Sequence, residues 1–181
     1  VFLRNISNPG YLMMTDIQGL DKISKKYNSS RKILSLSIIE ADEELSNRMK
    51  CSLGAKKKQL KRLRCINNVP FEIEESFYNK DIIPYLNTEI CNSSIFKYIQ
   101  DDLKLKIGFT DRILSCDKLN VEDASLFKLD INDPCLIIDS SVFLNNGTLF
   151  LISKNNQKKS KYQLFFLIRL ASLKKGSLKS I

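Results

Sequence analysis

Leu60–Tyr78 reads LKRLRCINNVPFEIEESFY, and this stretch decides the fold. Two runs that alternate apolar and polar residues flank Asn67-Asn68. Period-two alternation around an Asn-rich joint is the signature of a β-hairpin. Strand side chains alternate sides, so Lys61, Leu63 and Cys65 share one face of the first arm and Arg62 and Arg64 the other. In the second arm Phe71, Ile73 and Glu75 share a face, and Glu72, Glu74 and Ser76 lie opposite. Two arginines and a carboxylate thus converge on one sheet surface. Two readings fit. Cross-strand ion pairs on a solvated face would contribute little. An anion site would use the planar guanidiniums as a fork for phosphate or carboxylate.

Outward from the hairpin, the chain repeats itself. Before it come a strand over 32–39 and a helix over 41–50 with acids in the first turn and basic residues in the last, as the helix dipole favours. The hairpin arms run 58–66 and 69–78. The same order recurs: strand 106–118, helix from 120 or 121 to 129, strand 135–144, the turn Asn145-Asn146-Gly147, and strand 148–155. Phe71-Glu72-Ile73 is answered by Phe150-Leu151-Ile152. Two β-α-β-β units follow, joined through a helix over Asn92–Leu105 with Ser93 or Ser94 as its N-cap. Their sheets are expected to merge, leaving a pocket where the halves meet. Asp81–Leu86 reads as a helical turn, Asp16–Tyr27 as a short helix, and Val1–Thr15 as a connecting segment. Tyr162–Ala171, YQLFFLIRLA, is apolar enough to predict a central strand buried on both faces.

The 181 residues form one domain able to bury a core, and 43% hydrophobic content sets the chain apart from disordered ones. A net charge of +9 admits nucleic acid, an anionic ligand or an acidic partner, although the basic residues are spread rather than striped. Histidine is absent, which excludes Ser-His and Cys-His catalysis. The five cysteines are widely spaced without a CxxC pair, as buried reduced thiols would be. No metal site or cofactor is predicted. With no signal peptide and no membrane-length apolar run, the expected compartment is the cytoplasm.

Ile38–Leu45 (IIEADEEL), Arg62-Leu63-Arg64, Pro70, Glu74–Tyr78 (EESFY) and Ser94–Ile99 (SIFKYI) together resemble the UTRA domain, the effector-binding module of HutC-type GntR transcription regulators. The likeness covers roughly residues 19–172, and Asn92–Ile99 with Val142–Phe150 resembles the trehalose operon repressors in particular. It implies an α+β, chorismate lyase-like fold, with a largely antiparallel sheet built from the two halves and flanking helices. It also implies a linker over 1–18 that follows a winged helix-turn-helix domain, and a basic tail over 173–181. By the same resemblance the domain binds a small effector such as a phosphorylated sugar, forms a homodimer, controls operator DNA binding, and is no enzyme.

Carried over by position, Arg62 and Arg64 would clamp the anionic group, Glu74 would accept sugar hydroxyls, and Ser94 would donate from a helix start. Lys22 stands where the family has a serine. The second half departs further, with Leu151 where Glu or Gln is usual, then Ser153-Lys154-Asn155, Gln157 and Ser160. Lys22, Asn155 and Gln157 complete the candidate ligand set; one wall of the pocket has exchanged acids for lysines. Either the ligand is unusually anionic, or the pocket no longer senses the family's ligand and Leu151 is core. Two rivals stand beside a sugar-phosphate sensor: a degenerate dimerisation module and a chorismate lyase-like enzyme, for which Glu74 with two arginines is a thin acid-base set.

Overall fold

The computed structural model describes residues 11–14, 28–158 and 163–166. Strands β1 (Tyr11–Met14), β2 (Ser29–Glu40), β3 (Lys56–Ile66), β4 (Val69–Asn79), β5 (Ile107–Lys118), β6 (Pro134–Leu144), β7 (Leu149–Lys158) and β8 (Gln163–Phe166) alternate with short helices. The helices are α1 (Glu43–Met49), α2 (Thr88–Asn92), α3 (Ile95–Lys97), which runs on into a π turn over Tyr98–Asp102, and α4 (Val121–Phe127). None of the described helices is long and apolar enough to cross a membrane.

The predicted hairpin is β3–β4. Asn67 and Asn68 both take left-handed backbone (φ 51° and 62°), the requirement of a two-residue turn matched to strand twist, and asparagine tolerates it better than branched residues do. Arg62 then lies opposite Glu74, and Arg64 opposite Glu72.

Both predicted repeats form, and they match in detail. Each helix has seven residues, an Asx N-cap (Asp42, Asn120) that accepts from the backbone N–H three residues on, and a left-handed lysine (Lys50, Lys128) at its end. The halves merge by antiparallel pairing of β4 with β7, giving one six-stranded sheet in the order β2-β3-β4-β7-β6-β5. Glu75 and Lys154, which correspond under the offset that takes Phe71 to Phe150, are cross-strand partners. A pseudo-two-fold axis therefore passes between them.

The helices lock the halves together on one face. α1 packs toward β7 and α4 toward β4, so each half's helix covers the other half's central strand. Leu45 and Met49 of α1 bury against Ile152, and Ala124 and Phe127 of α4 join a cluster with Leu63 and Ile73. Arg48 reaches Asp139 at 3.1 Å, Lys61 reaches Glu122 at 2.6 Å, and Asn156 donates to Asp123 at 2.6 Å. On the opposite face the segment between the halves packs Ile83, Leu86, Cys91, Ile95 and Ile99 onto Leu60, Tyr78, Val142 and Leu151.

Three expectations change, while the turn expected over Asp81–Leu86 forms at its start. The helix over Asn92–Leu105 is broken: Ser93 is extended (φ −95°, ψ −157°) and separates α2, capped by Asn87, from the single turn of α3. The π bond from the Leu103 N–H to the Tyr98 carbonyl and the left-handed Lys104 then end the helical run. Asp81–Leu86 contributes one turn, closed by the N–H groups of Ile82 and Ile83 on the Asn79 carbonyl. The apolar run near the C-terminus is not the central strand. Its described part, β8, pairs in parallel with β1 in a separate two-stranded sheet, because β4 and β7 already complete each other's ladders. Finally, Cys116 is exposed rather than buried, since β5 is an edge strand. The predicted helix over Asp16–Tyr27 lies outside the described residues, as does the rest of the apolar run.

Candidate functional site

The face of the sheet that carries Arg62 holds a continuous polar row across the junction of the two halves. Antiparallel register places Glu72 opposite Gln157, Glu74 opposite Asn155 and Ser76 opposite Ser153. Directly opposite residues share a face, so these side chains line up beside Arg62 and Arg64.

Arg62 and Glu74 form a two-pronged pair, with Nε and Nη2 each 3.0 Å from a carboxylate oxygen. Arg62 Nη1 donates to the Cys91 carbonyl at 3.0 Å, which ties the row to α2. Arg64 closes on the same carboxylate, with Nη2 at 2.7 Å and Nε at 2.9 Å from Glu74 Oε2. Ser76 donates to Oε1 at 2.9 Å. Beyond them, Gln157 Nε2 donates to Glu72 Oε2 at 2.5 Å, and Arg64 Nε lies 3.4 Å from Glu72. Ser153 donates to Asn155 at 3.1 Å.

The row is buried. Arg62, Glu72, Glu74, Ser76 and Gln157 are each at most 5% exposed, whereas the Arg64 side chain keeps 14%. The arginines and acids are thus neither ion pairs on a solvated face nor an open fork. They are a closed, desolvated network whose two guanidiniums converge on one carboxylate.

Electrostatics divides the two acids. Burial alone would raise the Glu74 carboxyl, but Arg62 and then Arg64 overcome it and hold the pKa at about 2. For Glu72 burial wins: it pushes the carboxyl up, Arg64 opposes, and the charge of Glu74 adds to the rise. Two neighbouring carboxylates have been driven apart, one firmly ionised and one made easier to protonate. Burial likewise raises the Cys91 thiol to about 11, against the opposing pull of Arg62.

Of the predicted ligand residues, Arg62, Arg64, Glu74, Asn155 and Gln157 come together. Both oxygens of Glu74 are taken up by Arg62, Arg64 and Ser76, so Glu74 positions the arginines rather than presenting an open acceptor. Ser94 stands apart from them. Its hydroxyl accepts from the Lys97 N–H at 3.4 Å and caps only a three-residue turn, too short to focus a dipole on an anion. With Tyr85, Glu89, Lys97, Tyr98 and Asp102, Ser94 lines an open groove of about 740 Å³ that none of the arginine network enters. Lys22 and Ser160 lie outside the described residues.

The second-half wall also differs from expectation. Lys154 is exposed and pairs with Glu75 and Asp139, so it points to the face away from the row. The residues beside the acids are neutral Ser153, Asn155 and Gln157. Leu151 is 3% exposed, packs with Tyr78 and belongs to the core. Glu72, Ser76 and the Cys91 carbonyl were missed as site members. Alternation alone places Glu72 and Ser76 on the Glu74 face; nothing in the local pattern announces the carbonyl.

A family model described as the UTRA domain matches residues 24–163. The uncharacterized HTH-type transcriptional regulator YydK of Bacillus subtilis (strain 168) is 36% identical over 154 residues, covering 85% of this chain and 65% of that protein. The HTH-type transcriptional regulator TreR of the same organism is 26% identical over 102 residues, covering 56% of this chain and 43% of that protein. The match to TreR is shorter and less identical than that to YydK, so the likeness is to the family broadly rather than to trehalose repressors in particular. The chain spans just under two thirds of YydK.

The crystal structure of YydK matches with a TM-score of 0.80 at 33% identity, covering 91% of this chain and 69% of that one. The effector domain of PhnF from Mycobacterium smegmatis matches with a TM-score of 0.76 at 12% identity, over 87% of this chain and 99% of that one, a likeness of fold alone. The interlocked sheet, its polar row and the family match over most of the sequence lead to one assignment: the chain belongs to the UTRA domain family, the effector-binding domain of GntR-type transcription regulators.

Proposed function

We propose that this domain senses a small anionic effector of the sugar-phosphate class. It does so as part of a cytoplasmic, dimeric repressor that acts through a DNA-binding domain. The observation that carries the reading is the convergence of two guanidiniums on one buried carboxylate at the junction of the halves. Glu74 and the Cys91 carbonyl fix Arg62, and Glu74 fixes Arg64 with its head nearer to solvent. A guanidinium held in place before the ligand arrives loses little entropy on binding it. The neutral hydroxyl and amide groups of Ser153, Asn155 and Gln157 stand beside it, suited to sugar hydroxyls. Arg64 contacts the anion, and Arg62 anchors Arg64 through Glu74.

In this reading the row holds its ligand without turnover, and the engagement of both Glu74 oxygens by Arg62, Arg64 and Ser76 supports that role. Effector binding at the junction would bias the relative placement of the halves and, through the dimer, the spacing of the DNA-binding domains.

The test is thermal unfolding with trehalose 6-phosphate, glucosamine 6-phosphate or inorganic phosphate. A ligand at a hundred times its dissociation constant stabilises by about 2.7 kcal/mol, a shift of a few degrees for a domain of this size. Arg64→Ala should abolish the shift while the chain stays folded. A shift with a sugar phosphate but not with phosphate supports the reading. The core position of Leu151 favours a second reading, a dimerisation module without sugar-phosphate sensing, which predicts no shift with any of the three.

A further inference from the structure

We propose that Arg31 is a second clamp on the effector's anionic group, which sits between the Arg31 and Arg64 guanidiniums, and that this pair selects a dianionic ester over a monoanionic one. The proposal rests on the effector reading above and adds to it a residue and a charge requirement.

Register carries the argument. Two cross-strand rows cross the whole sheet on the face of the network. One opens with Arg31, Arg64, Glu72 and Gln157, the other with Ile33, Arg62, Glu74 and Asn155, and both end on uncharged residues of β6 and β5. Arg31 therefore stands directly opposite Arg64, in regular pairing that lies clear of the β2 irregularity between Ile33 and Ser35. Directly opposed side chains share a face, with Cβ atoms about 4.5–5.5 Å apart.

Together the two rows hold three guanidiniums, Arg31, Arg62 and Arg64, against two carboxylates, Glu72 and Glu74. Arg62, Arg64 and Ser76 engage Glu74, and Gln157 and Arg64 engage Glu72. Like charges directly opposite each other weaken a sheet. A phosphate group between them replaces that repulsion with charge-assisted, fork-shaped contacts from both sides. Arg31 is half-buried and the Arg64 side chain keeps 14% exposure, so both heads are within reach of a ligand, whereas Arg62 is enclosed. Lys32, next in sequence, is exposed and lies on the other face of β2.

Calorimetry on the full 181-residue chain with glucose 6-phosphate, trehalose 6-phosphate and glucose 6-sulfate, near pH 7.5, tests the proposal. The phosphate esters carry nearly two charges there, since their second ionisation lies near about pH 6, and the sulfate carries one. The parent should bind glucose 6-phosphate more tightly than glucose 6-sulfate. Arg31→Ala should weaken binding of the phosphates roughly tenfold or more, as loss of a hydrogen bond to a charged group does, and should shrink the preference over the sulfate. Arg31→Lys keeps the charge without the fork and should fall between the two. Lys32→Ala removes the same charge from the other face and should change affinity by less than about twofold, because exposed charges are screened. Equal effects of Arg31→Ala and Lys32→Ala, or a phosphate preference that survives Arg31→Ala intact, overturn the proposal. Failure of both sugar phosphates to bind the parent fells the effector reading and this proposal with it. Binding lost in Arg64→Ala but kept in Arg31→Ala fells this proposal alone.

Discussion

Glu74→Gln removes the charge on which both arginines converge while keeping size and an acceptor for Ser76. The Glu74 pKa is held at about 2 against an ordinary 4.5. At about 1.4 kcal/mol per pKa unit, the ionised carboxylate contributes about 3 kcal/mol to folding at pH 7. That agrees with the roughly 3–5 kcal/mol lost when one partner of a buried ion pair is removed and the other is left uncompensated. The folded pKa is below the unfolded one, so this stability is fully present above pH 4.5 and is lost as pH falls toward 2.

Urea unfolding of the two proteins should therefore differ by about 3 kcal/mol at pH 7, with unchanged m-value, and the gap should narrow steadily below pH 4.5. A variant within 1 kcal/mol of the parent at pH 7, or a gap constant down to pH 2.5, would show that solvent rather than the arginines compensates Glu74. The converse holds for its neighbour. Glu72 has its folded pKa raised, so its ionised form costs stability at neutral pH and the protein recovers it as pH falls. Glu72→Gln should be as stable as the parent at pH 7 or more so, opposite in sign to Glu74→Gln one pleat away.

The raised Glu72 carboxyl also bears on sensing: an anion beside it favours its protonated form, so effector affinity measured by calorimetry should strengthen as pH is lowered. Glu72→Gln should flatten that dependence. A Cβ on Gly108 would stand 2.8 Å from the Asn145 Cα and from the Leu144 carbonyl oxygen, backbone atoms that cannot swing aside. Gly108→Ala should cost about 1–3 kcal/mol in chemical denaturation. Lys50 and Lys128 both end helices in left-handed backbone, where glycine is free of the Cβ penalty. Each should gain roughly 0.5–1 kcal/mol on change to glycine, and the two gains should add, because the helices cover different strands.

Local pattern made the hairpins, the repeat and the shared face of Arg62, Arg64, Glu72 and Glu74 legible, because strand alternation and left-handed Asn turns are written in adjacent residues. What the sequence hid depends on register between distant strands. That Lys154 faces away from the row follows only once β7 is laid against β4 with Ser153 opposite Ser76. The central position of β4 and β7 was equally invisible, and the apolar run from Tyr162 outbid them on hydrophobicity alone. Helix 92–105 failed for another reason: Ile95, Ile99 and Leu103 keep a helical period, yet a local break at Ser93 and a left-handed Lys104 change no apolar spacing.

The same distinction explains why the two halves of one duplicated pattern have such different faces. Under the pseudo-two-fold axis Glu74 corresponds to Ser153 and Glu72 to Leu151, so the positions that hold two acids in β4 hold a hydroxyl and a core leucine in β7. Opposite Glu74 and opposite Ser153, β3 and β6 place Arg62 and Ser140, so where the second half lacks the acid it also lacks the cation. A buried arginine left facing Ser153 would have been an uncompensated charge, and a buried acid facing Ser140 equally so. Charge therefore stands in pairs in the first half and is absent in pairs from the corresponding positions of the second. The first half then supplies the charged contacts to an effector at the junction and the second half neutral ones. Restoring a glutamate at Ser153 without a cation at Ser140 should destabilise the sheet rather than rebuild a second site. Chemical denaturation of Ser153→Glu beside Ser153→Glu/Ser140→Arg decides the point: recovery of stability in the double variant is expected, and equal loss in both would refute this pairing.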